Sequence, residues 1–216
     1  MATRRPEDAQ RKEYSGAILF EEDIAADPII QFEDWYRTAE EKEEQEANAM
    51  SVASVSADGI PSTRIVLLKS YDASGFTFFS NYESRKSTEL LESGHAALLF
   101  WWPRLARQVR IEGPVNKTGR SESEEYFATR PRGSQIGAWA SKQSHIVASR
   151  SDLSEAYRSY EAKFDGRVVP CPPHWGGFRV MPRVFEFWQG QENRLHDRIQ
   201  YTLDDSDRWS VARLSP

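Results

Sequence analysis

Thiols and imidazoles are scarce in this sequence. Cys171 is the single cysteine among 216 residues, so no disulfide can form within the chain and no pair of thiols stands at zinc-ligand spacing. The four histidines also lack the paired spacing of metal ligands. We therefore expect no metal site and a reducing compartment.

Positive charge is in deficit as well. Lys and Arg number 28 against 33 Asp and Glu, a formal net charge of -5. Binders of nucleic acid or of anionic membranes usually carry excess Lys and Arg, so neither partner is expected. The longest apolar run, Ala96 to Trp102, is too short to cross a bilayer, and the N-terminus lacks the apolar segment of a secretion signal. The sequence predicts a soluble, cytoplasmic protein.

No G-x-G-x-x-G motif follows a strand, which argues against a dinucleotide-binding Rossmann unit. The chain has instead a series of short β-branched and aromatic segments divided by turn residues. They read MSVASVSA, STRIVLLK, FTFFS, HAALLFWW, RQVRIEGPV, FRVMPRVFEFW, RLHDRIQYTL and RWSVARL. Six or more antiparallel strands with interspersed helices predict a mainly β (α+β) fold, a closed or nearly closed barrel.

Four helices are predicted beside these strands. One begins at Asp27-Pro28 and another covers SRKSTELLES, residues 84–93. Two more follow apparent capping boxes, at residues 121–124 and 152–155. For domain organisation, the sequence predicts a polar arm, residues 1–27, followed by a single domain, residues 28–216.

Basic residues gather at two places that suit phosphate. Arg64 and Lys69 bracket the apolar segment IVLL, while Arg85 and Lys86 open a predicted helix, where free amides and cations together bind anions. A solubilising loop is the alternative interpretation of SRK.

Farther along, Tyr126 and Arg130 share a helical face and Ser134 follows the break at Pro131, which indicates a second phosphate cradle. Tyr and Arg at this spacing also often simply stack.

The segment WQGQENRLHDR, from Trp188 to Arg198, is the densest in potential ligand-binding groups. If it turns and then runs extended, Arg194, His196 and Arg198 lie on one face of a strand. Such a row suits a cleft for an anion, because buried charge is costly in a core unless it is paired. Alternatively, Glu192 and Asp197 neutralise the arginines on an exposed face.

These segments together resemble the pyridoxamine 5'-phosphate oxidase family. The resemblance runs from about Arg11 to Pro216 and is carried in order by RIVLLK, NYESRK, RQVRIEG, YFATRPRGSQIGAW, SKQS, HWGGFRV and FWQGQENRLHDR. It implies an FMN-binding split β-barrel and a homodimer with each FMN between subunits. It also implies oxidation of pyridoxamine 5'-phosphate or pyridoxine 5'-phosphate to pyridoxal 5'-phosphate, with oxygen as acceptor and hydrogen peroxide as product.

The resemblance also assigns residues. FMN contacts are implied for Arg64, Ile65, Val66, Leu67, Leu68, Lys69, Phe79, Ser80, Arg85, Lys86, Gln108, Gln143, Ser144, Trp188 and Arg198. Substrate contacts are implied for Arg11, Tyr14, Lys69, Tyr126, Arg130, Ser134, Arg194, Leu195 and His196. Of these, Arg194 and His196 are the expected catalytic residues. The N-terminal arm, which carries Arg11 and Tyr14, is expected to be mobile and to close over the substrate.

Three other hypotheses remain open. A sibling flavin oxidase that acts on another ring, as in phenazine biosynthesis, would share the barrel but lack the substrate-phosphate cradle. A non-catalytic flavin- or haem-binding split barrel would have no reason to keep Arg194 with His196. A generic interaction domain would bind no flavin and would be colourless.

Overall fold

The computed structural model describes Tyr14, residues 16–42 and residues 46–216. Within these residues the chain forms five helices, ten strands and a single 3-10 turn, Glu192–Arg194. The helices are α1 (Pro28–Lys42), α2 (Arg85–Ser93), α3 (Arg120–Thr129), α4 (Arg132–Ala140) and α5 (Arg150–Lys163). The strands are β1 (Ala49–Val55), β2 (Pro61–Leu67), β3 (Ser70–Asp72), β4 (Gly75–Asn81), β5 (His95–Trp102), β6 (Arg107–Lys117), β7 (Trp175–Val180), β8 (Val184–Gln189), β9 (Asp197–Leu203) and β10 (Trp209–Arg213).

The chain divides into two compact units. The first unit holds the described residues up to Ala47, together with Trp101–Val109 and Phe185–Pro216. The second unit holds Asn48–Phe100 and Arg110–Val184. This division does not test the boundary at residue 27 or the single domain, which stay predictions.

The second unit is built on antiparallel pairs. Strand β1 pairs with β2 and β5, β4 pairs with β3 and β7, and β7 also pairs with β6. Burial alternates along β1, where Met50, Val52 and Ser54 are the buried positions, as the period of two requires. Phe78 and Phe178 stack at 5.6 Å between ring centroids and form part of the core.

In the first unit, β9 pairs with β10 and helix α1 supplies an apolar face. Residues 32, 35 and 39 of α1 are buried because their spacing of three to four places them on one side of the helix. The Trp35 ring meets Phe187 edge-on at 5.2 Å, and the Arg107 guanidinium lies 4.3 Å from the centroid of the same ring. None of the described helices is both long and apolar enough to span a membrane.

The mainly β, antiparallel character agrees with the prediction, but three local predictions are wrong. FRVMPRVFEFW forms two strands, β7 and β8, because Pro182 interrupts it and lacks the amide that a ladder needs. Helix α3 follows Gly119 without any side-chain cap, so no capping box forms at residue 121. Helix α5 begins after Ser149, which forms the capping box with Asp152 as its third-residue acid.

Candidate functional site

Most of the predicted cofactor and phosphate residues line one cavity of about 1010 Å³ in the second unit. Those that line it are Arg64, Ile65, Val66, Leu67, Lys69, Phe79, Ser80, Arg85, Lys86, Tyr126, Arg130, Ser134, Gln143 and Ser144. They come from β2, the link between β2 and β3, β4, the first turn of α2, α3 and the residue after it, the start of α4 and the segment after α4. The two predicted phosphate cradles therefore share one cavity.

Leu68 is the member of RIVLLK that does not line this cavity. Its side chain is 4% exposed, and its backbone N–H donates to the Asn48 carbonyl at 2.8 Å. Asn48 Nδ2 in turn donates to the Leu68 carbonyl at 3.1 Å. The side chain of Leu68 therefore packs in the protein interior and its backbone bonds to Asn48, so its contact with FMN stays a prediction.

A buried carboxylate, Glu89 on α2, holds two of the cavity's cations. Its oxygens accept hydrogen bonds from Arg85 Nε at 2.7 Å and from the hydroxyls of Ser54 at 2.6 Å and Ser62 at 2.5 Å. Arg64 Nη2 lies 3.6 Å from the same carboxylate. Burial raises the pKa of Glu89, but the hydrogen bonds outweigh it and lower the pKa to about 2. Glu89 was not predicted as part of a site.

Lys86 is buried at the opening of α2. Its Nζ donates to Gln143 Oε1 at 2.9 Å and to Ser84 Oγ at 3.0 Å. Burial, helped by the nearby charge of Arg64, lowers the pKa of Lys86 to about 8. The Ser84 and Ser87 hydroxyls instead donate to the Asn81 carbonyl, at 2.8 and 2.6 Å. These two serines therefore shape the turn before α2, and the cations are what the cavity offers to an anion.

The second cation group centres on Arg130. Its guanidinium carbon lies 4.6 Å from the centroid of the Trp175 ring. Its Nη1 is buried and has no hydrogen-bond partner among the described residues. Burial lowers the pKa of Arg130. An unsatisfied buried donor on a cation is costly, so this atom indicates an anionic ligand in the cavity.

Aromatic rings pack beside Arg130. Phe79 stacks on Tyr126 with 4.1 Å between centroids and an angle of 18° between the planes. Lys69 Nζ lies 5.9 Å from the Tyr126 centroid, and Ser134 is exposed in the first turns of α4. The structure thus brings Lys69, Tyr126, Arg130 and Ser134 to one cavity. Trp175 also lines the cavity. Sequence reasoning missed it, although it stands in the quoted motif HWGGFRV.

Other predicted site residues lie in the first unit, where Trp188 and His196 form an aromatic cluster with Tyr14. The centroids of Trp188 and His196 are 4.6 Å apart, and Tyr14 meets these rings edge-on at 5.8 and 6.0 Å. The backbone N–H of Gln191 donates to His196 Nδ1 at 3.0 Å. This bond requires Nδ1 to be an acceptor, so the neutral imidazole carries its proton on Nε2 and offers a donor there.

The arginines around His196 differ from the predicted row. Strand β9 begins only at Asp197, so Arg194 lies in the preceding 3-10 turn with a positive φ of 63°. Arg198 pairs with Glu186 through two contacts, 2.9 and 3.1 Å, and donates to the Ser215 carbonyl at 2.8 Å. The hydrogen bond with Glu186 raises the pKa of Arg198. Asp197 binds Arg213 instead, at 2.6 Å.

Two other predicted site residues, Leu195 and Gln108, do not line the cavity. Leu195 is 70% exposed, and Gln108 is half-buried on β6. Arg11 lies outside the described residues.

Comparison with known proteins agrees with the residue pattern. Residues 38–160 match the family described as pyridoxamine 5'-phosphate oxidase. The chain belongs to this family. Residues 175–216 match the pyridoxine 5'-phosphate oxidase C-terminal dimerisation region. Pyridoxamine 5'-phosphate oxidase family membership also makes the chain an oxidoreductase, as the sequence predicted.

Curated relatives extend the match to nearly the whole chain. A pyridoxine/pyridoxamine 5'-phosphate oxidase from Burkholderia vietnamiensis is 52% identical over 208 residues, which cover 95% of this chain and 97% of the relative. A protein of the same name from Acaryochloris marina is 50% identical over 206 residues, covering 95% of this chain and 94% of the relative.

Two solved structures share the fold. PhzG from Burkholderia lata 383, in complex with tetrahydrophenazine-1-carboxylic acid, is 31% identical with a TM-score of 0.86, covering 94% of this chain and 100% of that one. A pyridoxamine 5'-phosphate oxidase-related, FMN binding protein from Nostoc punctiforme is 12% identical with a TM-score of 0.68, covering 86% of this chain and 97% of that one. The likeness confirms the predicted fold class, the split β-barrel.

Proposed function

We propose that this chain is an FMN-dependent oxidase that converts pyridoxamine 5'-phosphate or pyridoxine 5'-phosphate to pyridoxal 5'-phosphate, with oxygen as acceptor. The observation that carries the proposal is the single cavity that gathers two groups of cations, one around Arg64 and Lys86 and one around Arg130. Two phosphorylated ligands need two such groups. The buried, unsatisfied Nη1 of Arg130 is a further reason to expect an anion there.

FMN is the cofactor that the family relationship supports, in agreement with the sequence prediction. The residues fit its phosphate, because Arg64, Arg85 and Lys86 supply three cations along the cavity. When bound, FMN accepts the two electrons from the substrate and passes them to oxygen. The protein's own task is then to bind both ligands, orient them and exclude water.

The substrate phosphate is assigned to the second group. Arg130 and Lys69 supply charge, while the hydroxyls of Tyr126 and Ser134 supply hydrogen bonds. Lys69 was also predicted to contact FMN, and its place on the cavity wall is compatible with either role.

The pyridine ring of the substrate is assigned to Arg194 and His196. With Nδ1 of His196 occupied by the Gln191 amide, the neutral ring acts at Nε2 as a donor that orients the substrate. Tyr14, packed edge-on against the His196 ring, supports the proposal that the N-terminal arm contacts substrate.

Arg198 is proposed to act near the flavin ring, with Glu186 fixing its orientation. We further propose a homodimer, on the basis of the dimerisation region matched by residues 175–216. Light scattering at micromolar concentration tests this assembly, and a monomer there would contradict it.

A phenazine-type oxidase is the second candidate, because PhzG is 31% identical over 94% of this chain. Two observations favour the vitamin B6 phosphates. Curated relatives named as oxidases of these phosphates are 50 to 52% identical to this chain, and Lys69, Tyr126, Arg130 and Ser134 all line the cavity.

The test is to purify the protein with FMN and to measure peroxide and pyridoxal 5'-phosphate in air. We expect turnover with pyridoxine 5'-phosphate or pyridoxamine 5'-phosphate, and little with tetrahydrophenazine-1-carboxylic acid, the ligand bound in PhzG. The variant Arg194→Ala should lose at least about tenfold in kcat/KM, the order expected for one transition-state contact, while it retains FMN. A colourless protein that cannot take up FMN, or a fully active Arg194→Ala, refutes the corresponding part of the proposal.

A further inference from the structure

Trp175 stands at the first position of β7 and lies against the cavity cation whose donor is unsatisfied. The Trp175 side chain is 5% exposed, and the Arg130 guanidinium carbon lies 4.6 Å from its ring centroid. Arg130 also lies over Phe127, at 5.4 Å, and forms no ion pair with any described residue. Arg130 is therefore held by aromatic faces.

The cations around Glu89 are held differently. Glu89 pairs with Arg85 at 2.7 Å and with Arg64 at 3.6 Å, which offsets part of their charge. The N–H groups of Arg64 donate to the Val52 carbonyl and to the hydroxyls of Ser54 and Ser62. An aromatic face attracts a stacked guanidinium but leaves the N–H donors in the plane of the guanidinium free. Trp175 can therefore hold Arg130 in place, while the charge of Arg130 and its buried Nη1 donor stay available to an anion.

Trp175 also contacts the other aromatic residues of this wall. Its ring is nearly parallel to Phe79, at 5.4 Å and 11°, and to Tyr126, at 6.2 Å and 8°. Tyr126 itself stacks on Phe79. The three rings are therefore nearly parallel and restrict each other's orientation, and Arg130 lies against the Trp175 ring of this group.

We propose that Trp175 is a positioning residue, whose ring orients Arg130 toward the phosphate of the substrate. The inference rests on the proposed function for the identity of that phosphate. It adds a residue that acts on the substrate phosphate through Arg130.

The experiment compares Trp175→Leu and Trp175→Phe with the wild type, each loaded with FMN. For Trp175→Leu we expect KM for pyridoxine 5'-phosphate to rise about tenfold, with kcat within about twofold. A tenfold change corresponds to about 1.4 kcal/mol, within the range of a desolvated cation–π contact. The dissociation constant of inorganic phosphate, measured by calorimetry on the FMN-loaded protein, should rise to a similar extent. Trp175→Phe keeps a smaller and weaker aromatic face, so both constants should rise only about two- to threefold.

Trp139→Leu is the matched control. Trp139 packs against the same apolar cluster and lies under a cation, Lys163 Nζ at 5.9 Å, but it is not part of the cavity wall. Its replacement should lower the melting temperature without weakening phosphate binding.

Two outcomes would overturn the inference. One is an unchanged phosphate dissociation constant in Trp175→Leu, and the other is an equal weakening in Trp139→Leu. If Trp175→Leu does not fold, Trp175→Phe tests the inference instead. Wild-type phosphate affinity and wild-type KM in Trp175→Phe would show that the tryptophan ring does not contribute to phosphate binding. Failure of the proposed function shows up separately, as a wild-type protein that binds inorganic phosphate but does not oxidise either vitamin B6 phosphate.

Discussion

Lys86 should make FMN binding depend on pH in the range from 7 to 9. Burial and the neighbouring Arg64 lower the pKa of this lysine to about 8 in the protein without ligand. The protonated ammonium is the form that attracts a phosphate dianion. The affinity for FMN should therefore be close to its maximum at pH 7 and should fall as the pH rises through about 8.

The size of the effect follows from the fraction of charged lysine. With a pKa of about 8, roughly nine tenths of Lys86 is protonated at pH 7 and roughly one tenth at pH 9. If the bound phosphate keeps the lysine charged, the dissociation constant of FMN should rise about tenfold between these pH values. An ordinary lysine, with a pKa near 10.4, would change the constant by only a few per cent.

Quenching of flavin fluorescence on titration with the apoprotein measures this constant. Riboflavin is the control ligand, because it has the same ring system as FMN but lacks the phosphate, so its affinity should not follow Lys86. The variant Lys86→Arg keeps its charge and should give a flat profile for FMN. The reasoning is refuted if wild-type affinity for FMN is constant from pH 7 to 9, or if riboflavin shows the same slope.

Two further predictions concern stability. The folded-state pKa of Glu89, about 2, lies below its ordinary value of 4.5, so its ionised form stabilises the fold above pH 5 and this contribution is lost as the pH falls toward 2. Urea unfolding should therefore show an advantage over Glu89→Gln that shrinks between pH 6 and 3.5; a constant difference would contradict the assignment. At Gly113 of β6, an added Cβ would lie 1.9 Å from the Met181 carbonyl oxygen, so Gly113→Ala should lower the free energy of unfolding by about 2 kcal/mol. The same change at Gly137, where nothing lies within 4 Å, should be neutral or stabilising, and equal effects at both sites would disprove the steric argument.

Much of the fold was predictable because local patterns survive packing. The apolar segments became β1, β2, β4, β5 and β6, since β-branched and aromatic runs bounded by turns have few other ways to bury their side chains. Helix starts were less predictable. Ser149 rather than Asp152 caps α5, because any of several neighbouring polar residues can cap and only the backbone path selects among them.

The candidate site also contains residues that the sequence predicted and residues that it did not. Arg130 and Lys86 were predicted from charge and helical spacing, which the sequence contains directly. Trp175 and Glu89 were missed, because a tryptophan in a strand or a glutamate in a helix reads as ordinary core or surface until its neighbours in space are known. Trp175 follows Arg130 by 45 positions (175 − 130), and only the pairing of β7 with β4 and β6 fixes it at the cavity.

The sequence by itself determined the family, the mainly β architecture and the chemical types available to the site: cations for phosphate, hydroxyls and aromatic rings. These depend on composition, order and short-range periodicity, which are properties of the chain. The tertiary structure decided which cations are neutralised and which stay free. Arg198 pairs with Glu186 and Arg85 with Glu89, whereas Arg130 rests on Trp175 with an unsatisfied Nη1. Ion pairing and desolvation depend on distances of a few ångströms between residues far apart in the chain, and only the folded protein sets those distances.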